Sequence, residues 1–217
     1  MSDKSKDVID QLVGVVPGSA LDAVRNGRPT ARDNAQKSYE ALFAPADPGT
    51  VSLSERFALA SFVAGLHRDA EIGKFYGSQL AALAEANLVA AVGDEARRGE
   101  TSGPYGRYPD GPLSAEDAPG IHHRVADANR RALGERLSAA LEHAHLLVFR
   151  PRDSSSAALQ ALLDAGWSTT EIVTISQLVA FLAFQIRVVI GLRALAEVQQ
   201  NASVGYATTP ISPVAAA

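Results

Sequence analysis

The chain has 217 residues, no cysteine and a formal net charge of -4 at pH 7, a length that fits one or two domains of about 100–200 residues each and suffices to bury a core. The absence of cysteine excludes a disulfide framework, a thiolate zinc centre, an iron–sulfur cluster and a cysteine nucleophile. With 47% hydrophobic and 20% charged residues the chain is folded rather than disordered, and its mild acidity argues against coating a nucleic acid.

Apolar residues recur at three- and four-residue spacing, and no stretch alternates between hairpin turns, so the fold class is all-α. Helices are predicted over 6–15, 19–26, 31–43, 52–66, 69–97, 122–148, 154–165 and 168–198. Stops are legible at Pro17-Gly18, at Gly27 with Pro29, at Pro45 and Pro48, and at Gly166. Gly73 and Gly77 are candidate kinks in the fifth helix and Gly134 in the sixth. The first helix carries Asp7 and Asp10 in its apolar run, which reads as an amphipathic helix and not as a secretory signal. Residues 1–50 form an N-terminal helical segment packing on the core, 51–98 a first unit, 99–121 a loop, 122–199 a second helical unit and 200–217 a tail.

The loop over 99–121 is too rich in Gly and Pro for a helix, and reads either as a lid or exchanged arm or as a linker. The segment Ile172–Leu192 approaches membrane-spanning length, but Gln177, Gln185 and Arg187 interrupt it, so a buried central helix is expected. The chain is expected to be cytoplasmic, with no membrane and no nucleic-acid partner.

The two halves carry a weak repeat. Ser52 with Glu55 and Ser168 with Glu171 are both capping boxes that open apolar helices. Carried forward, the register pairs Phe57 with Val173, Leu59 with Ile175 and Leu66 with Leu182, and sets Asp69 opposite Gln185 and Glu71 opposite Arg187. Two pseudo-repeated helical units about a twofold axis, with a site between them, are the expected arrangement.

The segment LSERFALASFVAGLHRDAEIGKFYGSQLAAL at 53–83, with the stretch from Leu141 to Glu197, resembles the alkylhydroperoxidase D / carboxymuconolactone decarboxylase superfamily, in particular its two-unit, peroxidase-related members. The likeness covers residues 12–197 and implies an alkylhydroperoxidase D-like helical fold that associates with itself, as a homodimer or higher oligomer. The family's peroxidases use a Cys-x-x-Cys pair, a histidine seven residues after the first cysteine, and an upstream glutamate. Set on that pattern, Asp69 and Ile72 take the cysteine positions, Tyr76 the histidine and Phe57 the glutamate, with Glu55 nearby; a two-residue shift matches Glu55 but puts His67, Ala70 and Lys74 in the other places. Neither register has a thiol. Hydroperoxide reduction, which needs a thiolate and a resolving thiol, is therefore not expected.

Three readings of the remaining residues stay open. In the first, an acid–base lyase or decarboxylase acts on a small carboxylated molecule: Asp69 or Glu71 is the base, His67, Tyr76 and Glu55 are further catalytic candidates, and Arg68 or Arg187 holds the substrate's anionic group. The plainer account of the same residues makes Asp69 a helix cap, pairs Glu71 with Arg187, and leaves Arg68, Glu71 and Lys74 on a solvated face. In the second, His122, His123, Glu142, His143 and His145 hold a metal, which requires two groups on helices to meet in space; no metal and no cofactor is the preferred expectation, with one of His143 and His145 bonded to a helix and the other solvated. In the third, the protein is a non-catalytic binding or assembly partner of a thiol-bearing relative.

Overall fold

The computed structural model describes residues 7–207, with side chains as far as Gln199. Its helices are α1 (Val8–Val13), α2 (Ala20–Asn26), α3 (Pro29–Phe43), α4 (Leu53–Leu66), α5 (Ala70–Ala81), α6 (Ala86–Arg98), α7 (Asp127–Phe149), α8 (Ser156–Asp164) and α9 (Thr169–Ala207), with short 3₁₀ turns at Pro112–Glu116 and Pro151–Asp153. The fold is all-α. The described residues form no β-strand, only an isolated bridge between Gly106 and Ala118.

The axis of the fold is α4. It is apolar all round, and a helix of that composition must be surrounded. It packs against α5, α6, α7 and α9 and buries Phe57, Leu59, Phe62, Val63 and Leu66, each contributing about 1.5–3 kcal/mol by leaving water. Helix α6 approaches closely because residue 65 is glycine: a Cβ there would stand 2.7 Å from the Ala96 Cβ.

Both capping boxes form. Glu55 N–H donates to Ser52 Oγ at 3.2 Å and Ser52 N–H to Glu55 Oε2 at 2.9 Å; Glu171 N–H donates to Ser168 Oγ at 3.3 Å and Ser168 N–H to Glu171 Oε2 at 2.6 Å. The N-terminal segment is fastened by buried arginines. Arg25 pairs with Asp10 at 2.8 Å and Asp7 at 3.0 Å. Arg56 donates to three backbone carbonyls, Val51 at 2.9 Å, Leu42 at 2.8 Å and Pro48 at 2.9 Å.

Five expectations change. The helix predicted over 69–97 is two, α5 and α6, with the chain doubling back at residues 82–85; the apolar positions stay in helical phase across the break, and only packing of both pieces on α4 imposes the turn. Gly73 and Gly77 lie in an unbroken α5, whereas Gly134, at φ 75°, kinks α7 as expected. The helix predicted to start at 122 starts at Asp127, because the N–H groups of Val125 and Ala126 are taken by Glu142 at 3.1 Å and Glu95 at 3.0 Å. The last helix continues to Ala207, into the expected tail; residues 208–217 lie outside the described residues. Nor is α9 the central helix: Val173, Phe184 and Ile190 on its outer face are exposed, so α4 takes that role.

Candidate functional site

At the end of α4 the chain turns sharply. His67 closes the helix, and Arg68 follows at φ 57°, the one non-glycine residue in the left-handed region among the described residues. This is the position after a helix where glycine is the usual solution. Asp69 then caps α5 by accepting from the Ile72 N–H at 2.9 Å.

The turn presents His67 and Arg68 to a cavity of about 500 Å³ between the end of α4, the C-terminal part of α7 and the middle of α9. Thr101–Pro104 of the long loop form one wall, Phe149 another, and Arg187 of α9 reaches it from the far side. His67 Nδ1 donates to the Val63 carbonyl at 2.9 Å, which leaves Nε2 as a free acceptor. Burial, helped by the charge of Arg187, holds the His67 pKa below the usual histidine value against the effect of that hydrogen bond, so the ring is neutral near pH 7. Among the described residues Arg68 meets only Ser102 Oγ at 3.4 Å, and Arg187 only the Ala183 carbonyl of its own helix at 2.9 Å. Two guanidinium groups without a carboxylate partner among the described residues therefore flank a neutral imidazole at one cavity. That arrangement attracts an anion and offers it a proton acceptor.

Of the residues singled out in the sequence, His67, Arg68 and Arg187 come together here. The others do not join them. Asp69 is held by Arg193 at 2.8 Å, besides capping α5. Glu71 is exposed on α5, and no ion pair joins it to Arg187, which is itself exposed. Tyr76 is fully buried and donates to Gln185 Oε1 at 2.5 Å; burial raises its phenol pKa far above the ordinary range. Glu55 belongs to its capping box and to Arg136, at 2.8 Å.

The histidines converge elsewhere. His122, His123, Glu142, His143 and His145 line a second cavity of about 350 Å³ under α8. His122 and His123 precede α7, so they do not share a helix, contrary to expectation. His123 stacks on His145 with ring centroids 4.9 Å apart, and its Nε2 stands 3.1 Å from Oε2 of the fully buried Glu95, without hydrogen-bond alignment. His145 Nε2 bonds the Gly99 carbonyl at 3.0 Å and His143 Nε2 the Ser176 hydroxyl at 3.1 Å. Both are buried, so neither is the solvated one. Burial pushes His145 down to about 4 and also lowers His123 and His143. Among the described residues no group of three His, Cys, Asp or Glu side chains is arranged to hold a metal ion. Glu95 escaped the sequence reading, although one signal was present: it shares a helical stripe with Leu88, Ala91 and Val92, and a charge on an apolar stripe needs a partner.

Comparison with protein-family models and with curated proteins finds no match for this chain.

Proposed function

We propose that this protein is a cysteine-less relative of the alkylhydroperoxidase D / carboxymuconolactone decarboxylase superfamily that works in the cytoplasm as an acid–base catalyst on a small carboxylated molecule, bound at the cavity of His67, Arg68 and Arg187. One observation carries this reading: among the described residues the two guanidiniums have no carboxylate partner, and they face the same cavity as a neutral histidine with a free Nε2. A substrate carboxylate supplies the missing counter-charge to one arginine. The other is placed to face negative charge developing on a carbonyl or lactone oxygen. His67 takes a proton at Nε2 and returns it to carbon. In a decarboxylation, the carbon–carbon bond to the carboxylate breaks, its electron pair passes to the enolate oxygen, carbon dioxide leaves, and His67 relays a proton from water to the carbanionic carbon.

The test is a panel of lactone carboxylates and β-keto acids, scored for carbon dioxide release and for binding by calorimetry. Turnover that His67→Asn abolishes while binding persists, and binding that Arg68→Met and Arg187→Met each weaken by about tenfold, supports the proposal. Binding without turnover would instead favour a non-catalytic carboxylate-binding protein. Absence of both would overturn the assignment of this cavity.

A further inference from the structure

The outer face of α9 carries a pattern that the rest of the chain leaves unused. Between Val173 and Val198, eight exposed residues follow steps of four and three without a break: Val173, Gln177, Ala180, Phe184, Arg187, Gly191, Ala194 and Val198. Alternating steps of four and three give a period of 3.5 residues, the spacing of a seam that another helix covers along its length. The helix is long and apolar enough to cross a membrane, but its outward row holds Gln177 and Arg187, which disfavour lipid as the covering phase.

We infer that a second copy of this chain covers the seam, its α9 running antiparallel about a twofold axis between Phe184 and Arg187. Turned back on itself about that midpoint, the row matches its own residues. Val173 meets the partner's Val198, Gln177 the partner's Ala194, Ala180 the partner's Gly191, and Phe184 the partner's Arg187. The valines close the two ends. The small pair lets the backbones approach, and the aromatic face receives a guanidinium that no carboxylate pairs among the described residues of its own chain. The exposed Ile190 flanks the row and adds apolar surface beside the partner's Ala183. A parallel pairing in register would instead set Arg187 on Arg187, with like charges in contact. Stacking on the partner's Phe184 occupies only the flat face of the Arg187 guanidinium, so its N–H edges stay available to the cavity. That last point rests on the function proposed above; the pairing itself does not.

The cysteine-free sequence allows a direct test. The wild-type protein should sediment at twice the chain mass. On mild oxidation, the double variant Ala180→Cys/Gly191→Cys should give a covalent dimer, while each single variant should not, because like positions lie about 16 Å apart along an antiparallel pair. Phe184→Lys, which sets a lysine against the partner's Arg187, should sediment as a monomer with unchanged helix content. A monomeric wild type, cross-linking of Ala180→Cys alone as readily as the double variant, or flotation of the wild type with phosphatidylcholine vesicles would each overturn the inference. None of these readouts depends on activity, so they separate its failure from failure of the carboxylate site.

Discussion

Glu55 and Glu171, the glutamates of the two capping boxes, are joined through one guanidinium. Arg136 of α7 donates from Nε to Glu55 at 2.8 Å and from Nη2 to Glu171 at 2.8 Å, and lies over the Trp167 ring at 3.7 Å. It also bonds the carbonyls of Gly166 at 2.8 Å and Thr50 at 3.2 Å. The two places where the chain enters α4 and α9 are thereby tied to a third helix, α7.

Replacing Arg136 by Met should cost about 2–4 kcal/mol, since it leaves two carboxylates without their cation. Arg136 is the main cause of the depressed Glu171 pKa, which lies at about 2. A carboxylate with a depressed folded pKa contributes stability above its unfolded value, near 4.5, and that contribution is lost as pH falls towards 2. The gap between wild type and Arg136→Met in urea unfolding should therefore be full at pH 7 and shrink across that acid window. A gap that stays constant from pH 5 to pH 2 would show that the guanidinium acts through packing on Trp167 alone.

Arg68 sets stability against function. Its left-handed backbone costs an L-residue about 1–2 kcal/mol, and glycine is free of that cost. Arg68→Gly should raise the melting temperature by a few degrees while weakening carboxylate binding. Lower stability in the variant would mean that the contact with Ser102 outweighs the backbone term.

The stacked pair His123 and His145 should make the protein sensitive to mild acid. Both pKa values are lowered by burial, His145 to about 4, whereas the unfolded chain takes up these protons near pH 6.5. The unfolded state therefore binds more protons between about pH 6.5 and 4, and stability falls as pH falls through that window. Unfolding midpoints should decline from pH 7 to pH 4.5, and His145→Gln should flatten the decline. An NMR titration placing His145 above 6 would contradict it.

Local signals were legible in the sequence and distant ones were not. A capping box is complete within four residues, so Ser52 with Glu55 and Ser168 with Glu171 announced α4 and α9, and the Gly and Pro content of 99–121 announced the loop. His67, Arg68 and Arg187 were found as residue types, but their meeting depends on a left-handed turn and a helix more than 100 positions away. Asp69 and Glu71 stand apart from that cavity, and the plainer account of them was legible: Asp69 caps α5 and Glu71 is exposed, but the partner of Asp69, Arg193, lies at the far end of the chain, where no local signal announced it. The extended backbone at 122–126 is held by Glu95 and Glu142, so nothing near His123 revealed that it would be turned inward.

Arg56 has a wider effect than its three hydrogen bonds suggest. Burial lowers its pKa, no carboxylate contacts it among the described residues, and its donors are satisfied by the carbonyls of Leu42 in α3, of Pro48 in the following connection and of Val51, two residues before α4. Peeling the first three helices away would take the Leu42 carbonyl from Arg56 and leave that donor to water. The amino-terminal quarter is thereby fastened to the bundle at both of its faces, through Arg56 of α4 and through the packing of α1 and α3 on α9.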